Sequence, residues 1–267
     1  TGRRVVVPPP PQRIASLAPS ATAMLFASGA GPQVVGAVAT EYSTDSAVRR
    51  IPRIGDASAI DLERLIALRP SVVIAWPGGE NPAQLERLGR LGIPIYRERV
   101  ETLAGLARSV RRLGMLAGTR AVADRAADRL DAQLAALTHR YAAARPVTVL
   151  LQVWGHPVYT VGGTHLLTDA LRVCGARNLF GDLRQRGPAV STEAVVARDP
   201  DIIVAVAPRK ESESWLAEWR RFPELRAVED GNLIPFDDQR LTRLGPGTLA
   251  ATQELCQDID AARHRRR

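Results

Sequence analysis

Residues 61–76, DLERLIALRPSVVIAW, set an acid in front of a short amphipathic run, stop at a proline, then continue as an unbroken apolar stretch. A proline ends a helix, and a continuous run rich in valine and isoleucine is the pattern of a strand buried on both faces. Residues 191–206, STEAVVARDPDIIVAV, repeat the phrase at a constant offset: Glu63 matches Glu193, Ala67 Ala197, Pro70 Pro200 and Ala75 Ala205. A helix feeding a buried strand is the unit of an α/β lobe. Two copies predict two similar lobes with a cleft between them, the usual seat of a small ligand.

The pattern around the first copy predicts strands at 13–18, 34–39, 72–76 and 93–96. Helices are predicted from Pro19-Ser20-Ala21-Thr22 to Gly29, at 61–68, at 82–91 and at 102–117. The polar segment 40–60, with Tyr42, Asp45 and Asp56, reads as a loop, and Pro77-Gly78-Gly79 as a turn at a strand's carboxyl end. Residues 119–144 contain neither Gly nor Pro, while Val122, Ala126, Leu130, Leu134, Leu137 and Tyr141 recur at three- or four-residue spacing. That is one long amphipathic helix, a stiff strut between the lobes. After Pro146 come predicted strands at 147–153 and 232–236 and helices at 164–173, 213–221 and 247–261, with the repeated helix and strand occupying 191–206. The expected fold is α/β: two Rossmann-like lobes with parallel sheets, residues 1–118 and 146–267, joined by one backbone helix over 119–145.

Composition changes little in this picture. The 267 residues are 45% hydrophobic and 24% charged, enough for a large core or two smaller ones. The opening TGRRVVVPPPPQ has no apolar signal core and reads as a processed or trimmed chain, which leaves room for an export signal upstream, with Pro8 to Pro11 as an extended arm. The net charge of +8 is mostly Arg, concentrated only at Arg263-His264-Arg265-Arg266-Arg267. With aromatics at 4% and no basic run interleaved with them, nucleic acid is rejected as the main partner. Cys174 and Cys256 form no CxxC or metal-ligand set. Either they are inert buried thiols, or they form one disulfide tying the second lobe's last helix to its first, a mark of an oxidising compartment.

No Walker loop, GxGxxG, HExxH or GxSxG signature is present. His139, His156, His165 and His264 lack ligand spacing; for His156, after Trp154-Gly155, a structural role outweighs metal ligation. Open α/β sheets meet ligands at the carboxyl ends of their strands. There lie Tyr42, Trp76, Trp154 and Tyr159, and after strand 232–236 Asp237-Asp238-Gln239-Arg240. Aromatic walls with Arg240 and Arg243 on the rim suit a large, partly apolar ligand with amide or anionic groups. Glu63 and Glu193 favour the helix dipole where they stand; their duplication suggests paired carboxylates docking on two Arg sites of a pseudo-symmetric partner.

The stretches RIASLAPSATAMLFASGAG (13–31), LERLIALRPSVVIAWPGG (62–79), LGIPIY (91–96), LQVWGHPVYTVGG (151–163), CGARNLF (174–180), VSTEAVVARDP (190–200) and ELCQDI (254–259) resemble periplasmic substrate-binding proteins of the helical-backbone class. These serve ABC importers of iron-siderophores, haem and vitamin B12. The resemblance covers nearly the whole chain, and the AWPGG turn and the two cysteine positions point to the vitamin B12 branch, in which those cysteines form a disulfide.

The resemblance implies a monomeric, exported periplasmic protein, free or lipid-anchored, that has no catalytic residue, metal site or cofactor. It would hand cobalamin or a related corrinoid to a permease dimer. Tyr42 and Trp76 would line the cleft from the first lobe and Trp154, Tyr159 and Arg243 from the second; Glu63 and Glu193 would be the docking glutamates. Ala57, near where the branch has a cleft Trp, and Arg240, in place of an aromatic, depart from it. They leave haem or a ferric siderophore as the alternative ligand, with Tyr42 or His156 as an axial donor. From other classes, the rivals are a two-lobed glycosyltransferase with its donor near Gly245-Pro246-Gly247, and a sensor domain with the same lobes.

Overall fold

A computed structural model describes residues 10–38, 46–56, 59–76, 81–238 and 240–265. In chain order the first elements are β1 (Ile14–Ser16), α1 (Pro19–Ala27), β2 (Val34–Ala37), α2 (Ser46–Arg49), α3 (Leu62–Ala67), β3 (Val72–Ala75), α4 (Pro82–Arg90), β4 (Ile95–Arg97), α5 (Leu103–Ala117) and α6 (Arg120–Tyr141). There follow β5 (Val147–Gln152), β6 (Val158–Tyr159), α7 (Leu166–Val173), β7 (Ala176–Asn178), β8 (Ala189–Val190), α8 (Thr192–Arg198), β9 (Ile202–Val206), α9 (Arg209–Trp219), α10 (Arg226–Glu229), β10 (Leu233–Phe236) and α11 (Thr248–Arg265). The chain divides into two compact units, one of Thr1–Val100 with Ala104–Asp131, the other of Glu101–Leu103 with Ala132–Arg267. The boundary falls inside the uninterrupted 22-residue α6.

Among the described residues each unit has one four-stranded, all-parallel sheet, ordered β2-β1-β3-β4 in the first and β10-β9-β5-β7 in the second. The topologies are the same. In each, the first strand is flanked by the second on one side and by the third on the other, with the fourth outside the third. The direction of winding therefore reverses between β1 and β3, and between β5 and β9. Every residue of β3 and of β9 is buried, as strands covered by helices on both faces require.

The repeated phrase is repeated in the backbone. Asp61 and Ser191 cap α3 and α8 by accepting the N–H three residues on, from Arg64 and Ala194. Leu65 and Val195 are the residues each helix buries, and Glu63 and Glu193 stand exposed in the first turns. Both helices end in a left-handed residue, Arg69 and Asp199, each with φ 44° and each followed by a buried proline. A non-glycine residue there costs about 1–2 kcal/mol. At Asp199 the turn is held by Arg226, whose guanidinium donates to the Asp199 carboxylate and carbonyl and to Asp201.

In the first unit α5 and α6 approach so closely that a Cβ on Gly114 would lie 2.1 Å from the Ala123 Cβ, so only glycine fits. Arg111 of α5 spans the same pair, bonding Asp128 at 2.6 Å and Asp131 at 2.8 Å. In the second unit Cys174, which caps the end of α7, is joined to Cys256 of α11, with Cα atoms 4.7 Å apart and both residues fully buried.

Several local expectations are corrected. The segment 40–60 holds a helical turn, α2; residues 39–45 and 57–58, with Tyr42, Asp45 and Ala57, lie outside the described residues, as does the Pro77-Gly78-Gly79 turn. The helix expected at 213–221 begins at Arg209, directly after Pro208, because a proline is tolerated at a helix start. The short strands β6, β7 and β8 were not anticipated. Two or three residues carry too little periodicity to be seen without their pairing partners.

Candidate functional site

In an open parallel sheet the loops at the carboxyl ends part where the winding direction reverses, and a ligand fits between them. In the first unit Trp76 follows β3 at that point, and it is 9% exposed. Its neighbour across the strand ends is Glu98, whose N–H donates to the Ala75 carbonyl at 2.9 Å. The Glu98 carboxylate is buried and accepts from Arg112 Nη2 at 2.5 Å. Burial, then the Glu98 charge, pushes the Tyr96 hydroxyl up to about 12, so it stays protonated.

In the second unit β5 runs out into a ribbon. Trp154 and Tyr159 form an antiparallel bridge, with the Val153 N–H donating to the Tyr159 carbonyl at 2.9 Å. Beyond it, β6 pairs antiparallel with β8, Val158 opposite Val190 and Tyr159 opposite Ala189. Residues directly opposite in such a pair lie on one face, so the structure brings Trp154 and Tyr159 together. Both rings are solvent-facing, at 59% and 37% exposure. Trp215 of α9, unassigned from sequence, packs on the Trp154 ring with centroids 6.4 Å apart and planes inclined by 48°. Its spacing to Trp219 on one helix face was the available signal.

His156 Nε2 lies 2.6 Å from Glu218 Oε1, giving His156 a side-chain partner within α9. Arg240 is held by two carboxylates: its Nε lies 2.8 Å from Asp238 Oδ2 and its Nη2 2.7 Å from Glu254 Oε1. These bonds raise the guanidinium's affinity for its proton. Burial pushes the Asp238 carboxyl up, but the bonds from Arg240 outweigh it and hold the group below the usual carboxylate range. Arg243 is partly buried in the loop before α11. On the outer helices, Glu193 is held below its ordinary value by its own backbone N–H and the Ser191 hydroxyl, so it is ionised at neutral pH.

A family model described as "Periplasmic binding protein" matches residues 14–239. The chain belongs to that family. The vitamin B12-binding protein of Vibrio campbellii is similar to this periplasmic binding protein at 31% identity over 257 residues, 96% of this chain and 92% of the relative. The crystal structure of the periplasmic vitamin B12 binding protein BtuF of Vibrio cholerae superposes with a TM-score of 0.83 at 29% identity, covering 95% of this chain and 98% of that one. The periplasmic heme-binding protein RhuT of Roseiflexus sp. RS-1 shares the fold, with a TM-score of 0.79 at 23% identity, covering 94% of this chain and 99% of that one.

Proposed function

We propose that this periplasmic binding protein is the capture component of an ABC importer and that its ligand is cobalamin or a related corrinoid. The observation that carries the reading is the pair of solvent-facing rings, Trp154 and Tyr159, at the carboxyl end of β5. They stand in a chain 31% identical, over 96% of its length, to a vitamin B12-binding protein. Aromatic side chains offer large, flat, apolar contact to the face of a conjugated macrocycle. Trp76 and Tyr42 are assigned to the ligand from the first unit, and Trp154, Tyr159 and the partly buried Arg243 from the second. Arg240, committed to Asp238 and Glu254, is assigned to the rim, where it holds the loop.

The mechanism is binding and handover in the periplasm, without a covalent step. Residues 119–145 are assigned as the backbone helix that joins residues 1–118 to residues 146–267, and the protein acts as a monomer. Glu63 and Glu193 are exposed acids at equivalent helix starts, suited to two arginine sites on a permease dimer. Calorimetric titration of the purified protein with cyanocobalamin tests the ligand. Saturable heat at micromolar concentration or below is expected, and its absence removes cobalamin from the reading.

A further inference from the structure

The last residue of β5, Gln152, and the ribbon residues Trp154, Gly155 and His156 are all held by α9. Trp215, Glu218 and Trp219 are spaced i, i+3 and i+4, so they share one helix face. The Trp219 indole N–H donates to Gln152 Oε1 at 2.8 Å, and Gln152 Nε2 donates on to the Trp154 carbonyl at 3.3 Å. Trp215 packs on the Trp154 ring and lies so close over Gly155 that a Cβ there would sit 2.6 Å from the indole Nε1. Glu218 takes His156 at 2.6 Å. The backbone on both sides of Trp154 is thus fixed by one helix, while its ring stays 59% exposed.

A large apolar ring held in place and left facing solvent is organised for a contact beyond those made by the described residues. The Trp215 ring, partly exposed beside it with its plane inclined by 48°, extends the aromatic surface that Trp154 begins.

We propose that Trp215 is a further ligand-contacting ring and that His156 and Glu218 are a positioning pair setting the orientation of Trp154. This rests on the binding-protein reading above and adds a contact residue and a positioning pair to one of its walls.

The test compares the wild-type protein with Trp215→Leu, Trp215→Phe, Glu218→Ala and Glu218→Gln. Each is titrated separately with cyanocobalamin, haemin and a ferric hydroxamate. Kd is followed by calorimetry and tryptophan packing by near-UV circular dichroism, with thermal unfolding as the folding control. The wild type is expected to bind at least one of the three. Trp215→Leu should weaken that binding about tenfold and Trp215→Phe about threefold, the scale of an aromatic pair. Glu218→Ala should lower both the affinity and the tryptophan signal, and Glu218→Gln, which still accepts from the imidazole, should restore both.

A folded Trp215→Leu protein with unchanged Kd overturns the role of Trp215. If that variant does not fold, an unchanged Kd in Trp215→Phe does the same. An unchanged tryptophan signal in Glu218→Ala overturns the positioning pair. Haemin binding that depends on Trp215, without cobalamin binding, keeps this inference and removes the cobalamin reading; cobalamin binding indifferent to Trp215 does the reverse. Binding of the hydroxamate alone removes the cobalamin reading and keeps this inference only if Trp215→Leu weakens it; binding of none of the three overturns both.

Discussion

The indole N–H of Trp219 and the side-chain oxygen of Gln152 lie 2.8 Å apart, with both side chains buried. This bond joins the core face of α9 to the last residue of β5, one step before the ribbon that bears Trp154. Trp219→Phe keeps most of the apolar volume but leaves the Gln152 oxygen without its donor in a dry interior. The expected loss is about 1–3 kcal/mol, read from urea unfolding. Adding Gln152→Leu should recover part of it, because removing both partners strands neither.

The Cys174–Cys256 bond closes a long loop, with a sequence separation of 82. In the chain-entropy model such a loop stabilises the fold by about 4–5 kcal/mol. Denaturant unfolding of the Cys174→Ala, Cys256→Ala double variant should show a loss approaching that size. The wild type under reductant should move in the same direction. The fold is thereby matched to an oxidising compartment.

His165 gives a pH dependence of definite sign. Its Nδ1 accepts the Leu167 N–H at the start of α7, which only the neutral ring can do. Burial, reinforced by the Arg186 charge, lowers its pKa from 6.5 to about 4. The unfolded chain therefore takes up a proton near pH 6.5 that the folded chain refuses until about pH 4. The stability this group contributes is fully present above pH 6.5 and is lost as pH falls from there toward 4, by at most ~3 kcal/mol. Unfolding free energies across that range should fall less steeply in His165→Asn, which keeps a capping acceptor but does not titrate.

Glu63 and Glu193 make opposite predictions for two assays. Both are exposed and neither belongs to a buried network, so Glu63→Ala with Glu193→Ala should leave the Kd for ligand unchanged. Uptake by vesicles carrying the permease should be strongly reduced. Loss of affinity in step with loss of uptake would assign the two acids to folding instead.

The duplicated phrase was legible because its signals are local. Pro70 and Pro200 stop the helices, Asp61 and Ser191 start them, and the apolar runs that follow need cover on both faces wherever they are placed. The long α6 was legible for the same reason, since 22 residues of uninterrupted helical periodicity admit few alternatives. The ribbon was not. Val158 finds its partner at Val190, and a two-residue strand has no periodicity of its own. Trp154 and Tyr159 could be singled out by their place after a strand, but that they stand directly opposite each other is a property of the bridge.

Sequence by itself determined the longer helices and the central strands, the duplication of an α/β half and the short list of aromatic and acidic residues worth watching, because helix caps, proline stops and hydrophobic periods act within a few residues. The disulfide Cys174–Cys256 was one of two readings open to the sequence, and the structure has it formed. Tertiary structure alone decided that Arg240 is paired with Asp238 and Glu254, and that Trp215 of α9 packs on the Trp154 ring. Those relationships join residues dozens of positions apart or neighbours on a shared surface. They exist only once the core has closed and brought the side chains within reach of one another.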